Sequence, residues 1–313
     1  MTIAFAERPN DMANGTLRSI WKAVRQLDPG KVAREAGLPF TMAIVGASAE
    51  EVTAVKEFLL GPSPWEDVHC AERVFRCYVA PLDDDQLREI RKADFILATE
   101  AAGIERVAPL DLNAPNERIR AVACSRRGTD LRLALASCLP AFRPEIARRI
   151  VREVSRENAI FVVATALGDV IPSPLLPLIG IVEAASDMVV LTANQVRMLF
   201  MLGAVHSVRV GYTAQWREIG SIIGAAFGWR SLARNLVSKI PLGGGLVPKG
   251  AVAYAGTTVV GEGLIFYYTT GRKMTRQEMQ DAFKRSYSDA VASVRSLVSR
   301  ESGRSKGKPP ESD

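Results

Sequence analysis

A short apolar run, Phe40 to Val45, stops at Gly46 and gives way to a segment of helical spacing, Glu50 to Leu60. A strand, a glycine and a helix start in that order are the setting of a phosphate-binding loop. There, backbone N–H groups and the positive end of the helix dipole hold an anion. The working motif is G-x-x-x-x-G-K-[ST], whose lysine reaches the β and γ phosphates. Laid on Gly46, its second glycine becomes Glu51 and its lysine becomes Val52, so that only Thr53 stands in place. Ser48 with Glu51 three residues on forms a capping box, which puts a carboxylate on the donors that a phosphate would use. Glu51 both fills the position and repels an anion. Gly46, Ser48, Glu51, Val52 and Thr53 therefore read as a degenerate, closed loop, with no nucleotide cofactor and no catalytic residue.

The other supports of nucleotide chemistry are missing as well. After the strand expected at Val74–Val79 the chain has Pro81-Leu82-Asp83-Asp84-Asp85 in place of a D-x-x-G switch. Ile119 to Cys124 reads as a further strand, followed by Ser125-Arg126-Arg127-Gly128-Thr129-Asp130 where a guanine-reading N-K-x-D would stand. The acidic trio Asp83, Asp84 and Asp85 could hold a cation, but at a helix start it reads as an N-cap with dipole-favoured charges. Gly243-Gly244-Gly245 has no Lys-Ser or Lys-Thr after it and reads as a turn. Neither His69 nor His206 has a ligand-like neighbourhood, so no metal is expected. Cys70, Cys77, Cys124 and Cys138 show no CxxC spacing; three of them lie in apolar surroundings and read as core thiols of a reducing compartment.

A chain of 313 residues with 48% hydrophobic and 24% charged residues has room for two domains with their own cores. The formal charge of +6 permits attraction to anionic lipid or nucleic acid. Aromatics make up only 7%, and no basic run reads as interleaved with them, so nucleic acid is the weaker choice. Glu7, Pro9 and Asp11 exclude a signal peptide from the first residues, and the first half is expected in the cytoplasm.

Four regions follow. Residues 1–37 are an N-terminal amphipathic helix and linker. Leu17, Ile20, Trp21, Val24 and Leu27 share one helical face, with Arg18, Lys22 and Arg25 opposite. This helix either docks on its own domain or lies at an interface with Trp21 among headgroups. Residues 38–139 alternate strands (Phe40–Val45, Val74–Val79, Phe95–Thr99, Ile119–Cys124) with helices (Glu50–Leu60, Asp84–Lys92, Asp130–Leu139), which predicts an α/β domain with a mostly parallel sheet. Residues 140–300 are entirely helical: a hydrophobic bundle or hairpin that is charge-poor from Ala159 to Val205 and again from Gly250 to Thr270. Residues 301–313 read as a disordered polar tail.

The second half carries a resemblance. LRLALASCLP from Leu131, the run ARRIVREVSRENAIFVVATALGDVIPSPLLPLIGIVEAASDMVVLTANQVRML, and IPLGGGLVPKGAVAYAGTTVVGEGLIFYYTTGR resemble the YcjF-like domain of unknown function. The features that carry it are Pro172 and Pro174, Asp187, Gln195 with Met198-Leu199, the Gly243–Gly245 turn and Gly271 after Tyr267-Tyr268. In that family the domain often follows an Era-like GTPase domain, and here the first half shares only the element order. The resemblance implies membrane association and partnership with a GTPase, and no reaction.

The residues themselves agree in part. Two apolar stretches flank the proline turn Ile171 to Pro177, with Arg148, Arg149, Arg152 and Arg156 before them and Arg209 and Arg217 after, as in a hairpin that enters and leaves on the cytoplasmic side. Asp169 interrupts the first arm short of the roughly 20 apolar residues that one pass needs, so a re-entrant or interfacial hairpin fits better than two spans. Glu183, Asp187, Asn194 and Arg197 fall within about 80° of one another on a helix, a polar stripe too narrow for a solvated face and best read as a structural network. Ala253, Gly256 and Gly263 offer a small-residue face for close helix packing, with Glu262 interrupting that segment.

The expected function is that of a non-catalytic, membrane-associated pseudo-GTPase acting through partners: membrane lipid, and a GTPase or a second copy of the chain. A GTPase with an atypical loop and a small membrane transport component are the alternatives.

Overall fold

The computed structural model describes residues 9–61, 74–104, 107–111, 113–167, 187–225 and 246–305. It divides into two compact units, one made of Gly30–Arg149 with Met201–Val210, the other of Met1–Pro29, Ile150–Phe200 and Gly211–Asp313.

The first of these is an α/β unit. After α1 (Pro9–Val24), which belongs to the other unit, come α2 (Pro29–Ala36), β1 (Met42–Gly46), α3 (Ala49–Leu60), β2 (Phe75–Val79), α4 (Asp84–Lys92) and β3 (Phe95–Ala98). The three strands form one parallel sheet in the order β2-β1-β3, with Met42 opposite both Phe75 and Phe95. Every residue of β1 is buried, as expected of a central parallel strand covered on both faces. Ala43, Val45, Ile90, Ala98 and Ala102 form one side of the core.

The expected fourth strand at Ile119–Cys124 is not a strand. It belongs to helix α5 (Pro115–Cys124), and the reason is legible in retrospect. Pro115 sits at a helix start, Glu117 in the first turn, and the buried residues Ile119, Val122 and Ala123 have the i, i+3, i+4 spacing of a helix face. Two short helices, α6 (Arg126–Asp130) and α7 (Arg132–Cys138), replace the single helix expected over Asp130–Leu139. Leu135, Leu139, Phe142 and Ile146 are buried, and the unit runs on past residue 139 to Arg149. Ser207 ties Met201–Val210 to it by donating to the Ser137 carbonyl at 2.8 Å and accepting from Arg143 at 3.0 Å. Of the cysteines described, Cys138 is buried but Cys77 and Cys124 are exposed, so the expectation of three core thiols among the four does not hold. Cys70 lies outside the described residues.

The second unit is helical. Its long members are α8 (Arg143–Leu167), α9 (Asp187–Val205), α11 (Leu246–Thr270) and α12 (Arg276–Ser305), with a shorter α10 at residues 216–225; α8 and α9 each contribute residues to both units. α11 and α12 pack through Ala251, Ala255, Val259, Ala282, Phe283, Tyr287 and Ala290. Two glycines outside the expected set, Gly261 and Gly250, sit in close helix contacts. A Cβ at Gly261 would meet Val151 Cγ2 at 2.5 Å and one at Gly250 would meet Val163 Cγ2 at 2.8 Å, whereas one at Gly263 would meet only Met274 Sδ at an ordinary 3.8 Å. The turn into α12 is closed by a capping box in which Thr275 N–H donates to Glu278 at 2.7 Å and Glu278 N–H to Thr275 Oγ1 at 3.2 Å. Arg272 adds two bonds to the same carboxylate and holds it down to about 2. Residues 301–305, expected in the tail, continue α12, and 306–313 lie outside the described residues.

Candidate functional site

The β1–α3 loop is where an anion would bind, and two of its backbone donors, the Ala47 and Glu51 N–H groups, are taken by side chains of the loop itself. Glu51 Oε2 accepts the Ala47 N–H at 2.9 Å and the Thr99 hydroxyl at 2.6 Å, while Ser48 Oγ accepts the Glu51 N–H at 3.2 Å. The carboxylate reaches one residue further upstream than a standard capping box, because Thr99, buried just past the end of β3, draws it across the loop. The Thr99 hydroxyl and then the Ala47 N–H hold the Glu51 carboxyl below its usual value. A bound anion would displace these contacts and meet a negative charge.

The remaining motif positions have other roles. Val52, in place of a lysine, turns inward and is buried with Val55 and Leu59. Thr53, the one motif residue in place, is exposed and donates to the Ala49 carbonyl at 2.9 Å along its own helix. Gly46 is enclosed: a Cβ there would stand 3.0 Å from Glu51 Cβ, Ser48 O and Val52 Cγ2. The loop is drawn tight onto the helix start.

The two other regions with potential chemistry are structural. Asp83 accepts the Gln86 N–H at 2.7 Å and Gln86 Oε1 accepts the Asp83 N–H at 3.1 Å, a capping box that opens α4. Among the described residues no group of three His, Cys, Asp or Glu side chains could hold a metal ion. In the segment where a guanine motif would fall, Ser125 caps α6 through the Gly128 N–H at 3.0 Å, and Arg127 Nε donates to Asp94 at 2.8 Å.

In the helical unit the expected polar stripe is present in part and reaches further than expected. Glu183 lies outside the described residues. Asp187 starts α9 and accepts from Thr165 at 3.1 Å. Arg197 is ion-paired with Glu157 of α8. Asn194 is buried and donates to Asn158 Oδ1 at 2.7 Å; Asn158 in turn donates to Thr257 Oγ1 at 2.8 Å, and Thr257 donates to the Ala253 carbonyl at 2.8 Å. Gln195 joins at Thr257 Oγ1 from 3.4 Å. A chain of neutral amides and hydroxyls thus crosses from α9 through α8 to α11 inside an apolar core. Sequence reasoning missed Asn158, Thr257 and Thr99. The available signal for Asn158 was its place where the charged part of α8 turns apolar. For Thr99 it was the strand end beside the loop, which becomes meaningful only once β3 is known to flank β1.

One helix among the described residues, Asp187–Val205, is long and apolar enough to cross a membrane, and most of it is buried within the protein. The proline turn at Ile171–Pro177 lies outside the described residues. No family model, curated protein or solved structure matches this chain.

Proposed function

We propose that this chain is a non-catalytic, pseudo-GTPase-like protein that acts by binding partners at the cytoplasmic face of a membrane. The observation that carries the first half of this reading is the Glu51 carboxylate seated on the Ala47 N–H and the Thr99 hydroxyl, where a working loop would hold phosphate. A carboxylate in that position is the protein's own substitute for the anion. The buried Val52 supplies no cation at the position where the working motif has its lysine. The same two observations tell against a GTPase with an atypical loop. A transport role has less support, because α9, which has the length and hydropathy of a span, serves as a core helix.

The membrane half rests on the charge pattern: basic Arg148, Arg152 and Arg156 are exposed along α8 just before its apolar part. Partners consistent with the reading are membrane lipid, and a GTPase or a second copy of this chain.

The test is isothermal titration of the purified full chain with Mg²⁺-GTP and Mg²⁺-ATP. No binding is expected for either. A dissociation constant in the micromolar range or tighter would overturn the closed-loop reading. In the double variant Glu51→Gly, Val52→Lys, weak affinity for inorganic phosphate is expected to appear with little selectivity between the two bases, because Ser125 to Asp130 supply no guanine motif.

A further inference from the structure

The N-terminal helix was expected to carry Trp21 on the face shared by Leu17, Ile20, Val24 and Leu27, either docked on its own domain or at an interface with the indole among headgroups. The structure buries Ile20, Ala23, Val24 and Leu27 while turning Trp21 outward, 39% exposed. Within the same unit, the Tyr212 hydroxyl lies 2.7 Å from the carbonyl oxygens of both Val24 and Leu27, which fixes the end of the helix. The apolar stripe that docks α1 is complete without the indole. Arg18, Lys22 and Arg25 are exposed as well, and with Trp21 they have the i, i+3, i+4, i+7 spacing of a single helix face. A basic run interleaved with an aromatic residue is therefore present after all. No ion pair engages these three cations among the described residues; the acids nearest along the chain are Asp11, seven residues before Arg18 in the first turn of α1, and Asp28, beyond the helix end.

We propose that this outward face of α1, formed by Arg18, Trp21, Lys22 and Arg25, docks on an anionic lipid surface. The inference rests on the membrane reading above and names the surface and the lipid charge that it requires. An indole has an apolar body and one N–H donor, which suits the boundary between headgroups and acyl chains. Three cations around it, with no ion pair among the described residues, complement a negatively charged leaflet, each strengthening binding by about fivefold. The helix lies on the surface and does not insert, because its apolar side is already committed to the protein core. A single indole, with no ring contact among the described residues, is a poor stacking platform for nucleic acid, which favours lipid over a nucleotide chain.

The experiment is co-sedimentation of the purified full chain with vesicles of 70% phosphatidylcholine and 30% phosphatidylserine, and with pure phosphatidylcholine vesicles. The parent is expected to bind the anionic vesicles, more weakly as salt rises. Charge reversal in R18E/K22E/R25E is expected to lower the partition coefficient on the order of a hundredfold or more, and Trp21→Ala to lower it several-fold. All four side chains are exposed, so the thermal melts of these variants should match the parent. In a variant with Trp65, Trp216 and Trp229 changed to Phe, Trp21 emission should shift to the blue on adding anionic vesicles and become shielded from acrylamide. If R18E/K22E/R25E binds anionic vesicles as well as the parent does, this face is not the docking surface, and membrane association stands on other residues. If the parent binds no vesicles, both the inference and the membrane reading fall. If the same cations are needed for single-stranded DNA while vesicles are ignored, the face is a nucleic-acid surface and the lipid proposal is wrong.

Discussion

The loop at β1–α3 and the polar chain between α8, α9 and α11 solve the same problem with different chemistry. Both place polar groups that water cannot freely reach, and both give them a partner distant in sequence. The loop uses a charge: Glu51 is ionised and held by one backbone N–H and one hydroxyl at the positive end of a helix. The helical unit uses neutral groups, Asn194, Asn158, Thr257 and Gln195, linked side chain to side chain within the apolar packing, with Asn194 Oδ1 accepting no hydrogen bond among the described residues. Burying an ion costs far more than burying an amide. The charged arrangement accordingly sits at a half-exposed loop, and the neutral one lies deep in the core. It follows that the loop should respond to pH and the helical core should not.

The largest effect is expected from Asn158→Ala, which removes the middle of the polar chain. Asn194 Nδ2 loses its acceptor and Thr257 its donor, and a small cavity opens between α8 and α11. The expected cost is about 2–4 kcal/mol in a urea titration, the same at pH 7 and pH 5. A loss under about 0.5 kcal/mol would show that the chain is incidental to packing, and a strong pH dependence would break the contrast with the loop unit.

A smaller effect is expected from His206 in the α/β unit. Burial, followed by the Arg143 charge, pushes it down from 6.5 to about 4. The unfolded chain therefore binds a proton over that interval while the folded chain does not, so stability is complete above pH 6.5 and falls as pH drops toward 4. After discounting for partial exposure, the loss is about 1–2 kcal/mol. His206→Asn should flatten the stability curve over this interval, measured by hydrogen exchange of amides in β1 and α3.

The smallest effect is expected from Glu51→Gln. Glu51 is held below its usual carboxyl value of 4.5 by Thr99 and Ala47, so its contribution is present above that pH and is lost as pH falls through the lower folded value. The parent should exceed the variant in stability at pH 7, and the gap should close on acidification. A gap that stays constant down to pH 3 would mean that side-chain shape, and not charge, closes the loop.

Several features of these sites were legible in the sequence because they are local. Ser48 and Glu51, Asp83 and Gln86, and Thr275 and Glu278 are each three residues apart, and a helix start brings such pairs together whatever surrounds them. The apolar run Phe40–Val45 with its glycine stop likewise announced the central strand. The segment at Ile119–Cys124 failed as a strand because a short apolar run satisfies both periods, and Pro115 with the buried i, i+3, i+4 set settled it only after folding.

By itself, then, the sequence determined the carboxylate cap of the β1–α3 loop, the parallel strands that bracket it, the helical second half and the caps at their boundaries. Each depends on hydrogen bonds or periodicity within a few residues. Only the tertiary structure decided that Thr99 would be the partner that draws Glu51 across the loop, that Asn194 would find Asn158 and Asn158 would find Thr257, that Gly250 and Gly261 would lie against Val163 and Val151, and that Trp21 would face outward among Arg18, Lys22 and Arg25. These outcomes depend on which face of each element is covered by residues far along the chain, and spacing along one segment carries no record of that.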